Sequence, residues 1–89
     1  MDAADLQLAS TLADSAPDAR AAVTALRQCF PALRVSAVDA ADMRGEEPVA
    51  RGRLRTLWLG TNDGHCWQVT NDLARAAALF VAEGSSHES

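Results

Sequence analysis

The sequence predicts an α+β domain: a three-stranded antiparallel sheet with helices packed on one face, in the order α-α-β-β-β-α. Three observations carry that expectation. Ala19, Ala22, Val23, Leu26 and Phe30 recur at helical spacing ahead of Pro31. Two strand-like runs flank Asn62-Asp63-Gly64, which is a hairpin signature. Leu73, Ala76, Ala77, Phe80 and Val81 then form a further helical stripe that Gly84 ends.

Taken in order, Leu8, Leu12 and the alanines around them indicate a first helix over residues 3–14. Its apolar face is thin, so it is expected to dock loosely. Ser15-Ala16-Pro17-Asp18 opens the second helix with a capping hydroxyl, a proline in the first turn and an acid three residues on. Pro31 closes it, because the residue before proline is pushed out of the helical region. Leu33, Val35 and Ala37 alternate with polar or exposed positions as one face of a strand over 33–38. Residues 39–52, with Gly45, Pro48 and Gly52, read as a long loop of the kind that is often functional or mobile.

The hairpin admits two registers. A three-residue loop with left-handed Gly64 gathers Leu57, Leu59, Trp67 and Val69 on one face. A two-residue Asp-Gly turn mixes Trp58 with Trp67 instead. The first gives the cleaner core and is the expectation, with Trp67 inside and Trp58 on the opposite face. Asn71-Asp72 caps the final helix.

The 89 residues make one domain, 1–89, with a core over about 15–83 and a flexible tail at 84–89. A hydrophobic content of 48% fits a folded chain, although much of it is alanine, which buries little area. All eight basic residues are arginine, a bias typical of GC-rich bacterial coding. No apolar run approaches the roughly 18 residues that span a bilayer, and the acidic start is unlike a secretory signal. The expected location is the cytoplasm, with Cys29 and Cys66 as reduced thiols. Net charge is −4, which opposes non-specific nucleic-acid binding, though seven arginines cluster between Arg20 and Arg55.

Motifs for chemistry are sparse. There is no phosphate loop, dinucleotide glycine pattern or zinc-type cysteine spacing, so neither an enzyme nor a cofactor is expected. His65 and Cys66 are the residues a metal or small ligand would use. As neighbours on a strand they point to opposite faces, which makes shared chelation awkward. Asp39, Asp42, Glu46 and Glu47 lack the alternating oxygen pattern of a calcium loop and read as solvated charges. Arg51, Arg53 and Arg55 alternate, and with Arg34 they form a basic strip for an acidic partner or an RNA-binding sheet. Trp58, near Leu54 and Cys66 on the face opposite the helices, would make an apolar patch for a protein partner or for self-association. The alternative is that the first helix or the long loop folds over Trp58.

Phe30-Pro31-Ala32-Leu33, Asp39 to Asp42, Leu57-Trp58-Leu59, His65-Cys66-Trp67 and Val69-Thr70-Asn71-Asp72 lie between Phe30 and Ala82. That segment resembles small proteobacterial domains of unknown function encoded with nitrogen-fixation genes. The resemblance implies a setting, an accessory protein made alongside nitrogenase or its assembly machinery, and gives His65 and Cys66 added interest. The combined expectation is a non-catalytic binding module using Trp58, Leu54 and Cys66, with Arg51, Arg53 and Arg55 steering the partner.

Overall fold

A computed structural model of the chain describes residues 1–62, 64 and 66–84. Helix α1 spans Ala3–Ser15 and α2 spans Ala19–Cys29. Five strands follow: β1 Arg34–Ala37, β2 Ala50–Arg51, β3 Arg55–Asn62, β4 Trp67–Thr70 and β5 Ala78–Glu83. The class is α+β, with both helices ahead of one mixed sheet in the order β1-β5-β3-β2, and with β4 also on β3. No helix among the described residues is long and apolar enough to cross a membrane.

Each helix starts where an aspartate can accept from its first turn. Asp2 and Asp5 form a reciprocal capping box on α1: Asp5 N donates to Asp2 Oδ1 at 2.8 Å and Asp2 N to Asp5 Oδ2 at 3.2 Å. Asp18, rather than the expected Ser15, caps α2 by accepting from Ala21 N at 2.8 Å. Pro17 therefore lies just outside the helix.

Strand β3 is the spine of the sheet, and Arg55 through Gly60 are all buried. Alternation sorts these residues onto two faces. Arg55, Leu57 and Leu59 face the helices, where Leu57 and Leu59 join Leu79, Val81 and Val35 with Ala9, Ala13, Ala22, Val23 and Leu26 in one core. Burying each large side chain of that set contributes about 1.5–3 kcal/mol. Ala9 and Ala13 are fully enclosed, so α1 is an integral layer of the core and not a loosely docked one. Small alanines let α1 approach closely, which is how a thin stripe still packs.

The other face carries Thr56, Trp58 and Gly60 beside Phe80, Ala78 and Ala82. Residues 39–49 cross it, because β1 lies at one edge and β2 at the other. That crossing spans three strand spacings, about 14 Å at ~4.8 Å each, which accounts for the length of the connection. A 3-10 turn at Ala40–Met43 starts the strap, with Asp39 capping it through Ala41 N. Gly60 has no side chain because the Phe80 ring occupies the space: a Cβ there would meet Phe80 Cε2 at 2.6 Å.

Several expectations are corrected. The sheet has five strands and is mixed, since β1 runs parallel to β5. The final helix does not form. Leu73–Arg75 is a short 3-10 turn and Ala78–Glu83 is a strand inserted between β1 and β3. A strand buried on both faces reads as a continuous apolar run, and Ala-Ala-Ala-Leu-Phe-Val-Ala matches a helical stripe equally well. The hairpin pairs Asn62 with Trp67 and Gly60 with Val69. Trp67 and Val69 therefore share the face of Trp58, and the expected three-residue register is wrong. Gly64 has φ +99°, as expected of a left-handed position. Gly84, assigned to the flexible tail, donates to Leu54 O at 2.7 Å and accepts from Thr56 Oγ1. The rest of that tail, 85–89, lies outside the described residues.

Candidate functional site

The polar side chains that matter most gather where α1 ends, α2 begins and β3 starts. Asp14, in the last turn of α1, accepts backbone N–H bonds from Arg53, Leu54 and Arg55 at 2.8, 3.1 and 3.1 Å. An acid so near a helix C-terminus opposes the helix dipole, so its position needs another purpose. Here that purpose is to hold the turn between β2 and β3, which closes with Gly52 N donating to Arg55 O at 2.9 Å. A Cβ at Gly52 would collide with the Asp14 carboxylate, so only glycine lets the two approach.

Arg55 completes the junction from inside. Its guanidinium is buried; Nη1 donates to Ala13 O and Ala16 O at 3.0 and 2.6 Å, and Nε donates to Glu83 Oε1 at 2.9 Å. Glu83 reaches the start of α2 with its other oxygen, accepting from Ala19 N at 2.7 Å. One arginine thus satisfies carbonyls at the end of α1, while one glutamate sits at the N-terminus of α2. Burial pushes the Asp14 carboxyl upward. The N–H groups of Arg53, Leu54 and Arg55, then the Arg55 charge, outweigh it and bring the net pKa below the usual 3.8.

This junction floors an open groove of about 420 Å³ lined by Thr11, Asp14, Ser15, Arg53 and Leu54. Leu54 stands at its lip with 53% of its surface exposed. Leu8, also exposed, lies one helical turn before Thr11 on the same side of α1. Arg51 and Arg53 are exposed beside it.

The sequence-derived site is therefore divided. Trp58 is buried, with Nε1 donating to Glu46 O at 3.2 Å under the strap, so it presents no surface. Arg55 does not steer a partner; its charge is spent on Glu83 and helix carbonyls. Leu54, Arg51 and Arg53 do share one exposed corner. Cys66 is exposed at the far end of β3, about 26 Å along the strand from Leu54 at ~3.3 Å per residue, and belongs to no patch with it. Arg34 sits on β1 at the opposite edge from β2, so the basic strip is not continuous.

Trp67, expected in the core, is 39% exposed. His65 lies outside the described residues. Among those described, no group of three or more His, Cys, Asp or Glu side chains converges. Glu47 accepts from Asn71 Nδ2 at 2.9 Å, and Asp39 is a cap, so two of the four loop acids have structural partners. Asp14 and Glu83 were not singled out from the sequence, although an acid in the last turn of a helix was a readable signal. No protein-family model matches the chain, and no curated protein or solved structure matches it.

Proposed function

We propose that this chain is a non-catalytic binding module that docks a protein segment in the groove between α1 and the turn that opens β3. Leu54 is the apolar anchor, and Arg51 and Arg53 contact acidic side chains that flank it on the partner. The observation that carries this reading is the exposure of Leu54 on a turn that Asp14 fixes at three backbone N–H groups. A contact residue held rigid before binding loses little freedom on association, which favours affinity. Arginine is among the residues enriched at contact hot spots. The Asp14 charge, already engaged by those N–H groups and by Arg55, repels an acidic partner only weakly. The resemblance of residues 30–82 to domains encoded with nitrogen-fixation genes supports an accessory role beside nitrogenase or its assembly machinery.

The test uses the tagged full chain as bait in a nitrogen-fixing proteobacterium grown with and without fixed nitrogen. The expected partner appears only without fixed nitrogen. Its affinity falls at least about tenfold, ~1.4 kcal/mol, with Leu54→Ala or Arg53→Glu and is unchanged by Trp67→Ala. A partner that Leu54→Ala retains in full, or that Trp67→Ala loses equally, would overturn the assignment of this groove.

A further inference from the structure

The outer strands β1 and β4 are treated differently. On β1, Arg34 N donates to Ala77 O and Val38 N to Val81 O, so the intervening Val35 turns its backbone groups outward. The Val35 carbonyl is then capped by Arg27, whose Nε and Nη2 donate to it at 3.1 and 2.9 Å. A charged side chain lying across an edge carbonyl keeps another strand away.

Among the described residues, strand β4 has no such guard. The direction of its backbone groups follows from β3. Leu54 O accepts from Gly84 N and Gly60 O from Ala77 N, so even-numbered residues of β3 bond toward β5. Leu57 O accepts from Val49 N, so the odd-numbered ones bond toward the β2 and β4 side. Leu59 pairs with Thr70 and Thr61 with Gln68, and those are the hydrogen-bonded pairs of the hairpin. Trp67 and Val69 consequently aim their N–H and C=O groups away from the sheet. The strand Trp67–Thr70 contains no charge and no proline.

We infer that β4 is a self-association edge, joining two copies of this chain by antiparallel β4–β4 pairing about a two-fold axis through Gln68. Of the registers available, this one uses all four outward groups of each copy. Trp67 of one copy exchanges two backbone bonds with Val69 of the other, and the symmetry repeats the pair, giving four bonds. The same register sets the exposed Trp67 indole directly across from Val69, an aromatic against a β-branched side chain, which is a favourable cross-strand pair. Gln68 meets Gln68 on the other face, so no charge opposes a like charge. That self-complementarity favours a second copy over a foreign strand. Growth stops at two, because β1 is capped by Arg27 and β2 is only two residues long and carries the charge of Arg51. This edge lies at the opposite end of β3 from Leu54, so it is independent of the proposed partner groove.

The experiment combines sedimentation equilibrium of the full chain with residue-resolved amide exchange over a concentration series. The expected result is a monomer–dimer equilibrium in which the Trp67 and Val69 amides gain protection as dimer forms. The Gln68 and Thr70 amides, bonded to β3, are protected at every concentration. Val69→Pro removes an outward N–H and no β3–β4 bond, so it should keep the fold and abolish the dimer. Trp67→Lys, which places charge on the same edge, should do likewise and decides the matter if the proline variant fails to fold. A wild-type chain that stays monomeric up to on the order of 1 mM would overturn the inference. So would a dimer in which the Trp67 and Val69 amides exchange as fast as in the monomer.

Discussion

Replacing Asp14 tests the junction most directly. Asp14→Ala removes the acceptor of three backbone bonds, from Arg53, Leu54 and Arg55. Hydrogen bonds to a charged group are each worth about 1.5–3 kcal/mol. The turn is largely open to solvent, so water re-solvates part of what is lost. The expected cost is therefore ~2–4 kcal/mol, below the simple sum of three bonds. Asp14→Asn is more selective. Its oxygen can still accept from Leu54 and Arg55, while its NH2 faces the Arg53 N–H, so the expected cost is ~1–2 kcal/mol. Because the folded-state pKa of Asp14 is lowered, the stabilisation is fully present above the unfolded value near 3.8 and is lost as pH falls through the folded one. The difference between wild type and Asp14→Asn should thus be constant from neutral pH down to about 5 and shrink below 3.8. Urea unfolding followed by tryptophan fluorescence at several pH values measures both quantities. A loss under about 0.5 kcal/mol for Asp14→Ala at pH 7, or a gap that does not narrow in acid, would refute the role given to this carboxylate.

Three further outcomes follow from the structure. Arg55→Met should cost ~3 kcal/mol or more in urea unfolding, since it strands the Ala13 and Ala16 carbonyls and leaves Glu83 without its cation. Arg55→Lys should recover little of that loss, because one ammonium cannot reproduce the fork that reaches both helix carbonyls and Glu83. In single-tryptophan variants, iodide should quench the chain that keeps Trp67 strongly and the chain that keeps Trp58 weakly; equal quenching would contradict the strap over Trp58.

Local chemistry that repeats within one element was readable, and chemistry that depends on a distant neighbour was not. The α2 stripe of Ala22, Val23 and Leu26 needs only its own spacing to be recognised, and all three residues are buried as read. Leu57 and Leu59 were likewise placed correctly on the helix face. Trp58 and Trp67 exchanged roles because both sit in equally good strands. What separates them is the strap, whose path across the sheet depends on β1 and β2 lying at opposite edges. The helix expected at residues 71–83 failed for a related reason. Ala and Leu favour helix intrinsically, yet pairing with β1 and β3 on both sides outweighs that preference. At the candidate site, Leu54, Arg51 and Arg53 emerged from composition, whereas Asp14 and Glu83 act across separations of 28 to 64 residues that no local pattern encodes.

The central place of β5 has a consequence for biosynthesis. Among the described strands β1 pairs with β5 alone, and β3 takes one whole side of its pairing from it. A chain emerging from the ribosome can form α1, α2 and the β3–β4 hairpin early, but β1 has no strand to pair with until Ala78–Glu83 is free to insert. The sheet closes by threading its last strand between two that are already present, so folding is committed only after synthesis reaches that strand. A nascent chain halted just before Ala78 would keep the β5-facing edges of β1 and β3 unpaired, and it would meet chaperones before it met its own core.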